Sequence, residues 1–420
     1  MKVIQVPRRF VAGEWGGTET TILQTSRALR AAGEDVGIFT SLALSDRRDE
    51  LIQDVPVRRF PYSYPFFGLS PDARRDMDKK GGNLLSLSLL AALLREPGVD
   101  LLHAHTGKRV GATVRTAARL RGIPYVITLH GGHFVVPEGQ MTQMLAPLAN
   151  TIEWGRIAGM LLGSRRVLED ADAVLCVGGD ELAAARERLP GKRVELMPNG
   201  VDCAAFANGD AVGFRAAYRI PAERRILLCV SRIDYQKSQL ALVDALAALS
   251  ASRSDLHLVL LGPVTVADYQ NRLLERIALL GLGDRVTLIP GLQSDDPLLT
   301  GAFHAAELFC LASLHEPFGI VILEAWAAGL PVVASRIGGI PSFTEDGVDV
   351  LHAEPGDAGD LAAKIERLLA DRELAGRLAA AGRDKARREY DWSVISRRLL
   401  GLYQELIADL SHRRRPGARA

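Results

Sequence analysis

The run His315-Glu316-Pro317-Phe318-Gly319-Ile320-Val321-Ile322-Leu323-Glu324-Ala325-Trp326-Ala327-Ala328-Gly329-Leu330-Pro331 decides the fold. An apolar run, Leu308-Phe309-Cys310-Leu311-Ala312, precedes it, and Val332-Val333-Ala334-Ser335 follows. Both read as strands. Pro317 and Gly319 predict a turn, a short helix starts near Ile320, and Gly329 and Pro331 stop it. The whole is a βαβ unit. The helix is apolar on every side except at Glu324, which marks it as buried. Its carboxylate must find a partner or hold its proton. Glu324 also lies little more than a turn from the helix start, where free N–H groups favour anions. Glu316 sits in the loop just ahead. Both carboxylates therefore approach the carboxyl ends of the strands, where open α/β sheets bind ligands.

The rest of the chain repeats this alternation. In the second half, strands are expected at 226–230, 256–261, 286–289, 308–311 and 332–334, spaced as right-handed βαβ crossovers require. In the first half they are expected at 3–6, 36–40, 57–60, 100–105, 124–129, 173–177 and 194–197. Helices are expected at 84–94, 154–168, 180–189, 358–369, 374–389 and 395–406. A chain of 420 residues suits two domains. Pro198-Asn199-Gly200-Val201-Asp202 is a turn cluster, and it sets the boundary. The expected domains are 1–203 and 204–393, with a helix at 394–412 and a disordered tail at 413–420.

Several function classes are excluded. Residues 1–200 carry 26 basic and 22 acidic side chains and the remainder 25 and 28, too little asymmetry for nucleic acid. No Gly-x-Gly-x-x-Gly is present, which counts against a dinucleotide oxidoreductase, and Thr106-Gly107-Lys108 lacks the first glycine of a Walker loop. Cys176, Cys203, Cys229 and Cys310 stand apart, without metal or redox spacing, and read as reduced core residues of a cytoplasmic protein. The apolar run 84–94 is too short to span a bilayer. His103 and His105 alternate onto one face, but no further ligand sits at metal spacing. Asp295-Asp296 precedes Pro297 and reads as a helix cap rather than a metal pair.

Other strand ends carry polar residues that suit a ligand. Ser231-Arg232-Ile233-Asp234-Tyr235-Gln236-Lys237 follows the first strand of the second half. Arg232 can bind phosphate bidentately, and Lys237 adds a point charge where the next helix begins, though two cations at this spacing are commonly plain surface charge. Gly16-Gly17 precedes the first helix, where small residues let a ligand approach the backbone. His130-Gly131-Gly132 ends another strand, and Ile289-Pro290-Gly291 a further one. The segment 58–80 mixes basic and aromatic residues and is expected to be an irregular surface insertion. It contacts either acceptor or a membrane surface, or is a plain variable loop.

The Glu316-x7-Glu324 spacing with Arg232-x4-Lys237 resembles the retaining glycosyltransferases of family 4, of the two-Rossmann (GT-B) architecture. The likeness covers nearly the whole chain. It implies two doubly wound domains facing across a cleft, with domain closure about the 200–210 linker and a C-terminal helix crossing back to the first domain. It also implies roles. Glu316 contacts the donor sugar, and Glu324 holds the nucleotide ribose. Arg232 and Lys237 bind the diphosphate, with Ser231 beside them. Phe318, Gly319, Ile320 and Val321 contribute at the helix start, Pro290 lies near the base, and Gly16 and Gly17 lie beneath the diphosphate. His130 shapes the sugar pocket, and His105 and Lys108 line the acceptor side. Retention by front-face attack needs no metal and no cofactor. The expected substrates are a UDP- or GDP-sugar and a hydroxyl acceptor in polysaccharide, glycolipid or small-metabolite synthesis. Peripheral association with the inner membrane face goes with the lipid acceptors. Two competing readings are a sugar-nucleotide epimerase of the same fold and a non-catalytic sugar-nucleotide-binding partner subunit. The chain departs from the family's pattern at Ser231, Ser238 and Ser342, where the family usually has Gly, Gly and Glu.

Overall fold

The computed structural model describes residues 1–11, 16–79, 81–131, 134, 151–293 and 295–414. Lys80 of the 58–80 segment, Gly132 after His130, and the expected tail from 415 lie outside them. The chain divides into two compact units, Met1–Pro198 with the segment from Trp392, and Asn199–Asp391.

The first unit is built on an eight-stranded sheet. Its strands are β1 (Lys2–Val6), β2 (Asp35–Ser41), β3 (Asp49–Ile52), β4 (Val55–Phe60), β6 (Leu101–Ala104), β7 (Tyr125–Leu129), β9 (Ala173–Cys176) and β10 (Val194–Leu196). The order is β10-β9-β7-β6-β1-β2-β4-β3, parallel except for β3 against β4. Phe66–Phe67 (β5) and Ile152–Glu153 (β8) form a separate short ribbon. The chain leaves β1 on one side for β2 and on the other for β6, so a crevice opens at their carboxyl ends. Arg8, His105 and His130 follow β1, β6 and β7 there.

The second unit carries six parallel strands in the order β13-β12-β11-β14-β15-β16. These are β11 (Arg225–Val230), β12 (Leu256–Leu261), β13 (Val286–Ile289), β14 (Ala306–Leu311), β15 (Val332–Ser335) and β16 (Leu351–Ala353). The order reverses between β11 and β14. Ser231–Arg232 follow one and Ser313–Gly319 the other. Helices cover both faces, so Leu256, Leu258, Val259, Leu260 and Leu261 are all buried, the near-continuous run of a central parallel strand. The described residues hold no helix long and apolar enough to cross a membrane.

The last helix, Trp392–Arg414, belongs to the first unit. Ile395, Leu399, Leu402, Tyr403 and Leu406 form one stripe and pack on Val3, Leu29, Val36, Leu101 and Val126. Each such Leu contributes about 1.5–3 kcal/mol by burial.

Local expectations fail in several places. The 58–80 segment is not an irregular insertion, because most of its aromatic residues face inward, Phe67 alone of those described lying exposed. Tyr64 is buried, and Phe60, Tyr62 and Phe66 pack against the same core. The hydroxyls of Tyr62 and Tyr64 donate to Asp78 at 2.7 and 2.9 Å, on a regular helix, Pro71–Lys79. The helix expected at 154–168 breaks into Arg156–Leu161 and a turn at Ser164–Arg166. Gly163 stands between them at φ +69°, where a Cβ would meet Arg115 Nη1 at 2.5 Å. The helix expected at 84–94 starts at Leu87, because the Ser86 hydroxyl accepts from Leu89 N at 3.1 Å. The final helix continues to Arg414, into the expected tail. β3 and β16 were not expected.

Candidate active site

Each unit presents its own cluster at the carboxyl ends of its strands. In the second unit, Lys237 Nζ pairs with Glu316 Oε2, and both side chains are nearly buried. Ser313 Oγ donates to the same oxygen at 3.2 Å. A buried ion pair holds only when its remaining polar atoms are satisfied and its geometry is fixed. The backbone fixes it. Leu314 N donates to Gln236 O at 2.7 Å, tying the loop after β14 to the loop after β11. Gly339 N donates to Glu316 O at 2.9 Å. A Cβ on Gly338 would sit 2.2 Å from Glu316 O, and one on Gly339 would sit 2.1 Å from Pro317 O. Only glycines let these two backbones lie so close.

Arg232 is held differently. Its guanidinium lies 3.1 Å from Asp234 Oδ2 and donates to Gln236 Oε1 at 3.3 Å. With its side chain 46% exposed, it can turn to another anion. Asp234 is buried and also accepts from Lys237 N and Thr265 Oγ1, both at 3.2 Å. The side chain of Gln239 pins the loop from below, donating to Ser231 Oγ at 2.9 Å and Arg232 O at 2.7 Å.

The helix Ile320–Ala327 starts behind Gly319, at φ +100°, with no side-chain cap. Its first amides remain a site for an anion. Glu324 follows one turn later. It keeps some solvent access, yet burial pushes its carboxyl up to about 7. Among the described residues its carboxylate has no hydrogen-bond or ion-pair partner.

Ser231, Arg232, Lys237, Glu316, Gly319, Ile320, Val321 and Glu324 are thus all carried by the β11 and β14 ends. Phe318 is not available as a side chain. Its ring stacks on Phe343 at 4.5 Å within the core, leaving only its backbone for a ligand. Pro290 is exposed at the end of β13, two strands from β11, and no hydrogen bond ties it to the cluster. Gly16 and Gly17 lie in the first unit. Gly16 is extended at φ −150° and Gly17 is already helical, so neither needs glycine's conformational range. Asp295-Asp296 is a cap, since Asp296 Oδ1 accepts from Leu298 N at 2.9 Å. Sequence reasoning missed Asp234 and Ser313. The acid between Arg232 and Lys237 was the available signal for Asp234.

In the first unit, His105, His130 and Lys108 line one cavity of about 200 Å³, with Arg8, Thr106 and Gly131. His105 Nδ1 lies 2.9 Å from His130 Nε2, and His105 Nε2 lies 2.6 Å from Gln5 Oε1. Gln5 Nε2 donates to Tyr403 OH at 3.5 Å, and that hydroxyl lies 2.5 Å from His103 Nδ1. Burial lowers all three histidines, His103 to about 3 and His130 to about 4, with His105 well below its usual value. They are neutral near pH 7. Two cations share the cavity. Arg8 Nη1 is anchored on Met77 O and Asp78 O, at 3.1 and 3.0 Å. Among the described residues Lys108 Nζ reaches only Gly81 O, at 3.5 Å. Lys108 is exposed as a residue, yet desolvation of its ammonium lowers its pKa, and the Arg8 charge lowers it further. Among the described residues neither forms an ion pair.

Residues 16–200 match the glycosyl transferase 4-like domain, and residues 213–385 match glycosyl transferases group 1. The chain is 30% identical to a D-inositol 3-phosphate glycosyltransferase of Stackebrandtia nassauensis, over 97% of this chain and 91% of that one. It is also 30% identical to one of Salinispora tropica, over 96% and 83%. The crystal structure of HepE from Anabaena in complex with UDP superposes with a TM-score of 0.72 at 22% identity, covering 96% of this chain and all of that one. Two Rossmann-like units with a returning C-terminal helix, the Lys237–Glu316 cluster and these likenesses agree, and the chain belongs to the group 1 glycosyltransferases of the GT-B fold.

Proposed function

We propose that the protein transfers a hexose from UDP-sugar, with retention of configuration, to a hydroxyl of a small polyol or sugar acceptor that carries an anionic group. The Lys237–Glu316 pair beside an uncapped helix start is the observation that carries this reading. A nucleoside diphosphate brings negative charge that Lys237, Arg232 and the amides after Gly319 can take up. In the reaction the bond from the anomeric carbon to the diphosphate breaks, the acceptor oxygen bonds to that carbon, and its proton passes to the departing phosphate. Charge grows on the diphosphate in the transition state, so fixed cations there accelerate the step. Glu316, freed in part from Lys237 by the diphosphate, orients the sugar hydroxyls. Glu324, lacking a protein partner, takes the ribose hydroxyls.

UDP is favoured because HepE, of the same fold, is seen with it. The anionic acceptor is supported by Arg8 and Lys108, two cations in one cavity whose described lining holds no carboxylate. The names of the curated relatives point the same way, toward a phosphorylated cyclitol. The test is turnover of UDP- and GDP-sugars against matched acceptors, with and without a phosphate, followed by NMR of the new glycosidic bond. The reading expects an axial donor to give an axial product, made fastest on the phosphorylated acceptor. An inverted product, or equal rates on both acceptors, refutes the corresponding part.

A further inference from the structure

The hydrogen bonds behind His130 determine which of its nitrogens carries hydrogen. Gln5 Oε1 can only accept, so His105 Nε2, 2.6 Å away, carries a hydrogen. A neutral imidazole holds one N–H, and His105 is kept neutral by burial. Its Nδ1 is therefore a bare acceptor. The partner at 2.9 Å, His130 Nε2, must then donate. His130 is neutral as well, so its Nδ1 has no hydrogen. Among the described residues that atom has no partner, and it is not a buried orphan.

The same order runs backward into the last helix. With its Oε1 turned to His105, Gln5 presents Nε2 to Tyr403 OH. That hydroxyl accepts from Gln5 and donates to His103 Nδ1 at 2.5 Å, leaving His103 Nε2–H to donate to Thr128 Oγ1 at 2.7 Å. Each of these hydrogen bonds then has one donor and one acceptor.

We propose that Tyr403, Gln5 and His105 form a relay that locks His130 in its Nε2–H tautomer and presents the bare Nδ1 to the cavity as a fixed acceptor for a substrate hydroxyl. His130 thus receives a hydrogen bond and gives none to the ligand. It favours an O–H at that point and disfavours a phosphate oxygen, which Arg8 and Lys108 accommodate in the same cavity. Tyr403, Gln5 and His105 are positioning residues. That the ligand is a hydroxyl rests on the glycosyl-transfer reading; the tautomer does not.

The experiment is long-range proton–nitrogen correlation NMR of the full chain with 15N-labelled histidine at pH 7, without substrate. His130 is assigned by the pattern missing in His130→Gln. The relay predicts the Nε2-protonated pattern for His130 and His105 in the wild type. A Nδ1-protonated, doubly protonated or averaged His130 overturns it, and needs no variant to be seen. In Gln5→Met the lock is removed, so His130 shows averaged tautomers and kcat/KM falls about tenfold, the worth of one neutral hydrogen bond. A Gln5→Met protein whose His130 pattern matches the wild type also overturns the relay. Loss of turnover with the tautomer intact would instead count against the transfer chemistry.

Discussion

The two units carry opposite kinds of polar cluster, which on the proposed reading meet their ligands by opposite means. The second unit uses charge that is already paired: Lys237 with Glu316, and Arg232 with Asp234. The first uses neutral histidines in a buried relay, with two cations that form no ion pair among the described residues. Paired charge is held ready where a group gains charge during reaction, because the pair can open without first recruiting an ion from solvent. Neutral groups suit a hydroxyl, whose recognition depends on direction rather than on charge.

The largest test of this contrast is Lys237→Ala. On the proposed reading it removes the cation from the departing diphosphate, and it leaves Glu316 buried without its partner. The expected loss is about 10²–10³-fold in kcat. In a cycle with Glu316→Gln, the double variant should lose less than the sum of the two singles, because the pair acts as one unit. Additive losses would show two independent residues.

Next comes the unpaired side of the contrast. Arg8→Ala with Lys108→Ala should raise KM for a phosphorylated acceptor about 10–100-fold, the range of one charge-assisted hydrogen bond. KM for the donor should stay unchanged. Steady-state kinetics with each substrate varied in turn separates the two.

A smaller effect concerns pH. The Glu324 carboxyl titrates near 7 in the folded protein, against an ordinary 4.5. Between these values the folded state holds a proton that the unfolded state has lost, so stability falls as pH rises from about 4.5 to 7. The contribution is on the order of 1–3 kcal/mol. Chemical denaturation at pH 5 and pH 8 should show Glu324→Gln relieving that fall at pH 8 and changing little at pH 5.

The smallest effect is at Ser238. It holds φ +49° at the start of the helix Gln239–Leu249, a conformation that costs a side-chain residue about 1 kcal/mol. Ser238→Gly should stabilise the second unit by about that amount, read as a higher denaturation midpoint. A lower midpoint would mean that the serine side chain makes up for its strain.

Much of this was legible in the sequence because it was local. Arg232 and Lys237 lie five apart on one loop, and Glu316 and Glu324 flank one helix start. The alternation of apolar runs placed the parallel strands for the same reason. Ser238 stood out as a departure from the glycine expected there, and its left-handed backbone explains why glycine suits the place. What was not legible depends on side-chain direction and distant partners. The aromatic residues of 58–80 looked exposed, but Tyr62 and Tyr64 turn inward onto Asp78, a contact no periodicity encodes. The break at Gly163 comes from the Arg115 guanidinium lying against it. Gln5 and Tyr403 are 398 positions apart, so their part in setting His130 emerges only when the last helix packs on β1. Short strands such as β3 and β16, at sheet edges, carry too few residues to show a pattern.

The central claim is that the β11 and β14 ends of the second unit clamp a nucleoside diphosphate. The most direct measurement is the thermal denaturation midpoint of wild type and Arg232→Ala with saturating UDP, GDP or ADP. A ligand at a hundred times its Kd stabilises by about 2.7 kcal/mol. The account predicts a clear upward shift of the wild type with UDP, small or absent with the other two, and lost in Arg232→Ala. No shift with any diphosphate, or a shift that survives intact in the variant, would contradict it.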